Sequence, residues 1–352
     1  MIYDVVIVGA GPAGSIFARE LAIANKQLKI CLIDGQDEVN RKPCGGLLAP
    51  DAQKALARFS LTLPKKTLAD PQIFTVETID IEKGFRRYYQ RHYLNMDRYA
   101  FDGWLLSIVP QCVDIIKGRC EKIVQEKDDF EITLFSSGKK TVLATKNVVG
   151  ADGGSSVVRR SFFKVKLKQY VSIQQWFENK GQQLPYYSCI FDQKTSDSCS
   201  WTIHKDKYLI FGGAFEKKGC REAFEKQKIR LERYLGTEFG QAIKTEACLV
   251  SSPRKMSDFT LGKRGVYLIG EAAGLISSSS FEGISSAILS GKYLSMAFLE
   301  AKDQTEILKL YKKKTLKLRI KLCLKNPKRF VICNPFLRNI VMKSGIQSVE
   351  KY

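Results

Sequence analysis

The N-terminal part of the chain combines short apolar runs with a stretch of helical spacing. Residues 3–8 are mostly apolar, a glycine cluster follows, and residues 12–24 show helical spacing before a second apolar run at 29–33. Short apolar runs joined by an amphipathic helix are typical of buried parallel strands. The pattern therefore predicts a βαβ unit.

Two later apolar runs, at 148–152 and 266–269, also end at glycine or at an acidic residue. In an open parallel sheet, the carboxyl ends of the strands form the ligand crevice. We therefore expect three strand ends to contribute to one binding site.

The remaining segments read as antiparallel strands followed by helices. FEITLF and TVLAT flank SSGKK between residues 119 and 145, which predicts a hairpin of a small β-meander. Residues 71–93 and 162–250 are strand-rich and aromatic, and they predict a second sheet. A helix is expected from Gly283 to about Leu299, and a basic helical tail at 309–343.

These patterns predict an α/β fold with a Rossmann-like domain of three layers, in which a parallel sheet is combined with a β-meander. A mostly antiparallel substrate domain and a C-terminal helical tail complete the expected architecture. The predicted boundaries are 1–70, 94–161 and 251–300 for the nucleotide-binding domain, 71–93 and 162–250 for the substrate domain, and 301–352 for the basic tail.

Composition narrows the class of protein. The chain is 44% hydrophobic and 26% charged, as expected of a folded globular protein. No apolar run is long enough for a membrane span, and the N-terminus lacks the pattern of a signal peptide, so a cytoplasmic location is expected. Ten cysteines without a CxxC pair favour reduced thiols, and only two histidines make a metal site improbable.

The net charge of +21 is concentrated near the C-terminus. Residues 302–352 contain fourteen Lys and Arg against three Asp and Glu, an excess of eleven. Three interpretations stay open for this tail: a solvated helical face, peripheral contact with an anionic membrane, or nucleic-acid binding. Nucleic acid is the least favoured partner because no recognition motif accompanies the charge.

The glycine cluster carries the first chemical signal. Gly9, Gly11 and Gly14 form G-x-G-x-x-G between a strand and a helix, where the backbone closes on a diphosphate. Asp34 lies twenty residues beyond Gly14, at the end of the next strand, where an acid accepts hydrogen bonds from ribose hydroxyls. The alternative interpretation is an ordinary tight turn.

Two further motifs favour FAD over NAD. Gly150-Ala151-Asp152-Gly153 and Gly270-Glu271-Ala272-Ala273-Gly274 each close a strand. With the first motif they resemble the three-part signature of the para-hydroxybenzoate hydroxylase class of flavoproteins.

Four further stretches narrow the resemblance within that class: Lys42-Pro43-Cys44-Gly45-Gly46, Asp97-Arg98 with Phe101-Asp102 and Leu105, Trp201 ahead of Gly212-Gly213, and Glu282-Gly283-Ile284 with Ala287 and Gly291. With these stretches the chain most resembles the geranylgeranyl reductase family of FAD-dependent oxidoreductases. The resemblance covers roughly residues 1–300 and is thin in the predicted substrate sheet.

The resemblance implies a non-covalent FAD site in which Arg98 lies against the diphosphate and the helix after Gly283 points its amides at the flavin. The chain departs from the family at Glu271, where Asp is usual, so the ribityl hydrogen bond is shifted or made by the backbone. The predicted cofactor-binding residues are Gly9, Gly11, Pro12, Ala13, Gly14, Asp34, Cys44, Gly45, Gly46, Arg98, Asp152, Gly270, Glu271, Gly274, Gly283 and Ile284.

The resemblance also implies that Cys44 lies near the flavin and assists protonation or positions an alkene. Packing of a small, inert thiol is the alternative. Trp201 and Gly213 are the predicted substrate residues. The family's aromatic-x-Trp-x-Phe-Pro reads CSWTIH here, which implies a pocket unlike that of a standard prenyl reductase.

Three functions follow from this sequence. The first is an FAD-dependent reductase of a C=C bond in an apolar, prenyl-like substrate, with hydride from flavin N5. The second is a monooxygenase or halogenase that acts through a C4a-hydroperoxide on an aromatic or polyketide substrate. The third is a flavin-containing binding protein without turnover. The resemblance implies NAD(P)H or a small redox protein as the expected electron donor.

Overall fold

The computed structural model describes residues 2–35, 42–179, 181 and 183–349. Parts of the predicted domains, residues 36–41 and 350–352, lie outside the described residues. In the described chain, strands and helices alternate at first, antiparallel strands dominate the middle, and helices dominate the end.

The described strands are β1 (Ile2–Tyr3), β2 (Val5–Val8), β3 (Ile30–Asp34), β4 (Leu47–Leu48), β5 (Ile73–Asp80), β6 (Phe85–Asn95), β7 (Val113–Lys117), β8 (Arg119–Glu126), β9 (Asp129–Ser136), β10 (Lys139–Thr145), β11 (Val148–Gly150), β12 (Gln169–Glu178), β13 (Tyr186–Phe191), β14 (Cys199–Lys205), β15 (Tyr208–Phe215), β16 (Lys244–Ser251), β17 (Gly262–Lys263), β18 (Val266–Leu268) and β19 (Ser348–Val349). The described α-helices are α1 (Pro12–Ala24), α2 (Pro50–Arg58), α3 (Arg98–Ser107), α4 (Val157–Phe162), α5 (Cys220–Leu235), α6 (Ile284–Glu300), α7 (Gln304–Lys314), α8 (Leu316–Cys323), α9 (Lys325–Cys333) and α10 (Pro335–Ser344).

A six-stranded sheet is the centre of the first part of the molecule, with strand order β17-β18-β11-β2-β3-β7. Strands β2 and β3 are buried along their whole length, as expected of a sheet that is covered on both faces. Helices α1 and α6 and the four-stranded meander β1-β10-β9-β8 share one hydrophobic core with this sheet. The predicted α/β fold class with a β-meander is confirmed.

A nine-stranded, mostly antiparallel sheet forms the second part, in the order β16-β12-β15-β14-β13-β5-β6-β19, and β4 pairs with β6. One face carries α5, whose Phe224 and Leu231 pack on Phe211 and Phe215 of β15. Strands from both predicted segments of the substrate domain belong to this sheet. The domain boundaries themselves stay a prediction.

The C-terminal region is helical, and its helices pack against both sheets. Tyr311 of α7 donates a hydrogen bond to the Leu268 carbonyl at 3.0 Å, and Leu318 and Leu322 of α8 join the main core. Arg338 of α10 pairs with Asp80 of β5, and β19 extends the large sheet beside β6. Among the described helices, none has both the length and the apolar character that crossing a bilayer requires.

Candidate functional site

The three predicted glycine loops lie side by side at one edge of the parallel sheet. Strand β11 pairs with both β2 and β18, and Gly150 is opposite Val8 on one side and Leu268 on the other. Strand β3 lies next to β2, with Ile33 opposite Val8. The carboxyl ends of four neighbouring strands therefore meet at one place.

In the first loop, two of the three glycines have no room for a side chain, and the third faces open space. Gly9 has φ +109°, and a Cβ there would lie 2.6 Å from the Ala151 carbonyl oxygen. A Cβ at Gly14 would collide with the carbonyl oxygen of Gly9, whereas a Cβ at Gly11 would have no atom within 4 Å. Gly9 and Gly14 thus close the turn, and Gly11 borders a free space in front of α1.

The start of α1 suits a negatively charged ligand. Pro12 is in its first turn, which contains no acidic residue, and Gly11 caps the helix without a side chain. Free backbone amides at a helix N-terminus attract anions. Ala13 packs where α1 and α6 approach closely, since a Cβ at Gly291 would lie 2.6 Å from the Ala13 carbonyl oxygen.

Asp34 lies at the end of β3 and is buried, as the sequence predicts for an acid at this strand end. Its carboxylate forms an ion pair with Lys117 of β7. The ribose-binding role of Asp34 stays a prediction.

Asp152 lies at the tip of β11 with one carboxylate oxygen bonded and the other free. Its Oδ2 accepts hydrogen bonds from the amides of Val157, at 2.6 Å, and Val158, at 3.3 Å. Its Oδ1 is buried without a hydrogen-bond partner in the described chain. Burial raises the pKa of Asp152, although hydrogen bonds from Ser156 and from these amides oppose the shift. A buried acceptor of this kind is suited to a ligand hydroxyl.

Glu271 occupies the third loop, between Gly270 at φ +58° and Gly274 at φ +80°. Its carboxylate accepts hydrogen bonds from Lys42 Nζ at 2.7 Å and from the Ser251 amide at 2.8 Å. Burial lowers the pKa of Lys42, but attraction to Glu271 and Cys248 and the hydrogen bond to Glu271 together raise it above the ordinary value. The side chain that departs from the family pattern is therefore paired with a lysine of the chain itself.

Arg98 opens α3, and its Nε donates to Asp102 Oδ1 at 2.7 Å. Burial lowers the pKa of Arg98, whereas attraction to Asp102 and Cys44 raises it above the ordinary value. The amide of Gly46 is 3.4 Å from Cys44 Sγ. The structure thus brings together Arg98 and Cys44, which lie far apart in sequence.

Gly45 and Gly46 fit closely against β14 of the large sheet. A Cβ at Gly45 would lie 2.6 Å from Ile203 Cδ1 and 3.7 Å from Trp201 Nε1. Gly46 has φ +69° and a Cβ there would collide with the Met96 carbonyl oxygen. The Cys44 loop is therefore confined between the two parts of the molecule.

Trp201 faces this loop, but Gly213 does not. Trp201 is opposite Gly212 in the sheet, and its ring covers the position where a Gly212 side chain would stand. Gly213 is opposite Ser200 and packs on Phe215, on the face that carries α5. Trp201 Nε1 is buried without a partner in the described chain. Gly212 lies beneath Trp201, and the substrate-binding role of Trp201 and Gly213 stays a prediction.

Gly283 caps the N-terminus of α6, and Ile284 is the first residue of this helix. The preceding Glu282 accepts a hydrogen bond from the Tyr93 hydroxyl at 2.7 Å, and the Tyr93 ring meets Tyr187 edge to face at 5.3 Å. Burial and the neighbouring Glu282 raise the pKa of Tyr93. A chain of polar groups therefore links the large sheet to the start of α6.

Sequence reasoning missed Lys205 and Tyr93. Lys205 is buried, and its Nζ donates to Asn95 Oδ1 and to the Met96 carbonyl, both at 2.6 Å. Burial lowers its pKa from 10.5 to about 8, and attraction to Cys44 opposes this shift. A lysine at the end of a strand gives no signal of burial in the sequence. For Tyr93, the many aromatic residues of segment 71–93 were the sequence feature that could have indicated a role in the site.

Comparison with known proteins gives the family of this chain and solved structures with the same fold. The family model "Lycopene cyclase protein" matches residues 4–211. Protein CbrA of Escherichia coli O9:H4 (strain HS) is 41% identical over 355 aligned positions, which cover 99% of this chain and 95% of CbrA.

Two solved structures have the same fold at low identity. A geranylgeranyl bacteriochlorophyll reductase-like protein from Thermoplasma acidophilum has a TM-score of 0.82 at 19% identity, over 97% of this chain and 90% of that one. The p-nitrophenol 4-monooxygenase PnpA from Pseudomonas putida has a TM-score of 0.72 at 16% identity, over 97% and 93%. The predicted resemblance to a reductase-like flavoprotein fold is confirmed. The chain belongs to the lycopene cyclase protein family and to the family of CbrA.

Proposed function

We propose that this protein is an FAD-dependent oxidoreductase whose cofactor lies across the three glycine loops. The observation that carries the proposal is Gly11, the loop glycine that has no packing reason to lack a side chain. The acid-free N-terminus of α1 fits a diphosphate, and the unpartnered Asp152 Oδ1 fits a hydroxyl of the cofactor. The two structural neighbours with this fold are named as a reductase-like protein and a monooxygenase, which supports an oxidoreductase.

The experiment is the substitution Gly11→Ala. Gly11 has φ −71°, which alanine adopts without strain, so the variant is expected to fold normally. Its methyl group would occupy the space assigned to the diphosphate, so we expect flavin affinity to fall at least about tenfold.

The matched control is Gly103→Ala, an exposed glycine in α3 where a Cβ also has no atom within 4 Å. It is expected to keep the flavin content of the wild type. Bound flavin is measured by its visible absorbance, and folding by circular dichroism. A colourless wild-type protein that takes up no added FAD would contradict the proposal, as would a Gly11→Ala variant with normal affinity.

For the reaction, we propose reduction of a C=C bond in an apolar, prenyl-like substrate. Bound reduced FAD would supply a hydride to one carbon. The second carbon requires a proton, and Cys44 is the proposed residue at this step. Its thiol accepts a hydrogen bond from the Gly46 amide at 3.4 Å and lies beside Arg98, in a loop that Trp201 and Ile203 border.

A monooxygenase is the second candidate, favoured by the fold shared with p-nitrophenol 4-monooxygenase. The two reactions differ in how reduced flavin meets oxygen. We expect slow, featureless reoxidation in air for the reductase. A transient absorbing species on mixing with oxygen would favour the monooxygenase or a halogenase.

The proposed electron donor is NAD(P)H or a small redox protein, and the proposed location is cytoplasmic with contact to anionic membranes. Exposed apolar side chains support the contact: Leu324 is 70% exposed, Phe330 66% and Phe336 70%. They lie among the lysines of the basic C-terminal region, a combination that suits anionic lipid.

A further inference from the structure

A small cavity of about 120 Å³ lies between α2, the first turn of α6 and the segment α8–α9. Four cationic side chains line it: Lys54, Arg58, Lys321 and Lys325. None of the residues predicted to bind FAD or substrate lines this cavity. Its charge therefore needs a separate explanation.

The four cationic side chains form two pairs on opposite walls of the cavity, and few acidic residues neutralise them. Lys54 and Arg58 are one turn apart on α2, and Lys321 and Lys325 are one turn apart on the opposite wall. Asp51 is the acidic residue of the lining, and it binds Lys321 at 2.8 Å and Lys325 at 3.9 Å. Lys54 and Arg58 form no ion pair within the described chain, so the lining keeps an excess of three positive charges.

The other lining groups complement an anion that is attached to an apolar body. The hydroxyl groups of Ser285 and Ser286 supply hydrogen-bond donors at the α6 end of the cavity. Leu289, Leu318 and Leu322 form an apolar wall. The cavity is smaller than the roughly 300–1,000 Å³ of a site that encloses a drug-sized ligand, so only a head group fits inside.

We infer that this cavity binds the phosphate or diphosphate group of an amphiphilic ligand. A multiply charged anion matches the threefold excess of positive charge better than a single carboxylate does. Two sources carry this chemistry, a lipid head group in a membrane and a soluble phosphate ester. The cavity is a binding site in its own right and does not depend on the bound flavin.

The test uses the full-length protein as purified. Binding of inorganic pyrophosphate is measured by calorimetry, and binding to vesicles by flotation, with phosphatidic acid in phosphatidylcholine compared with phosphatidylcholine alone. Two double variants, called the pocket variants, each remove two cations from the cavity lining. One combines Lys54→Gln with Arg58→Gln, and the other combines Lys321→Gln with Lys325→Gln. The control, Lys218→Gln with Lys226→Gln, removes two exposed charges near or on α5.

We expect saturable binding that each pocket variant weakens at least about tenfold, while the control stays within twofold of the wild type. Pyrophosphate binding alone assigns the site to a soluble phosphate ester, and vesicle binding that the pocket variants abolish assigns it to a lipid. Absence of both kinds of binding overturns the inference, and so does an equal loss in the control, which reflects net charge alone. Flavin content and melting temperature, measured on the same samples, separate this result from a failure of the proposed oxidoreductase.

Discussion

The buried ion pair between α10 and β5 is expected to hold the C-terminal helices on the large sheet. Arg338 Nε donates to Asp80 Oδ2 at 2.9 Å, and the two side chains are 2% and 0% exposed. Arg338 also donates to the Ile332 carbonyl at 2.9 Å, and its guanidinium lies 4.8 Å from the centre of the Phe191 ring. Without Arg338, Asp80 Oδ1 still accepts a hydrogen bond from the Lys83 amide at 3.1 Å.

The substitution Arg338→Met therefore leaves a buried carboxylate without its counter-charge. Removing one partner of a buried ion pair costs about 3–5 kcal/mol of the free energy of unfolding. Replacing both partners with apolar residues avoids the unpaired charge and is often close to neutral. We therefore expect the double variant, Arg338→Met with Asp80→Leu, to be more stable than Arg338→Met alone.

The free energy of unfolding is measured by urea denaturation, followed by circular dichroism. The rate of protease cleavage between α9 and α10 is a second measurement, which reports whether α10 detaches from the sheet. The control is Arg233→Met, an exposed arginine of α5, whose loss should cost no more than about 1 kcal/mol. A cost below about 1 kcal/mol for Arg338→Met would refute the reasoning. A double variant no more stable than the single one would refute it too.

Three further predictions concern the site and the surface. Cys44→Ala should keep bound flavin but slow turnover at least about tenfold, and an unchanged rate would assign the thiol to packing. Replacing Leu324, Phe330 and Phe336 with Gln should reduce flotation with anionic vesicles at unchanged melting temperature; equal flotation would exclude them from membrane contact. Because burial lowers the pKa of Lys205 from 10.5 to about 8, the charged lysine costs stability below pH 8, and this cost fades as pH rises toward 10.5. The wild type should therefore gain about 2 kcal/mol relative to Lys205→Met between pH 7 and 10, whereas a constant difference in urea unfolding would contradict the buried charge.

Much of the parallel sheet and its loops could be predicted because the signals are local. Helix α1 has the bounds that the helical spacing indicates, since Pro12 starts it and its apolar face is continuous. The strands that end at Val8, Gly150 and Leu268 are short apolar runs that end at or shortly before a glycine, and they are adjacent in the parallel sheet. The local sequence was therefore enough to predict that these three strand ends lie together.

The position of Gly213 could not be derived in this way. Two consecutive glycines in a strand point to opposite faces, and only the register with the neighbouring strand decides which one meets Trp201. The pairing of Trp201 with Gly212 is set by the turn between β14 and β15 and by the packing of Phe211 and Phe215 on α5. The observed register places Gly212 beneath Trp201 and Gly213 on the opposite face, and the substrate role of Gly213 stays a prediction.

The function of the basic tail could not be predicted from its charge. A sequence does not show whether a lysine or arginine pairs with an acidic residue inside the fold or binds a partner outside it. Arg338 neutralises Asp80, and Arg329 is buried with its guanidinium 2.9 Å from the Tyr170 hydroxyl and 3.4 Å from Asp197. These two cations stabilise the fold, so they carry no information about an external partner. Lys321 and Lys325 differ, since they share a single acid and face Lys54 and Arg58 across a cavity. The charge of Lys321 and Lys325 is therefore the part of the tail charge that we assign to an anion bound in this cavity.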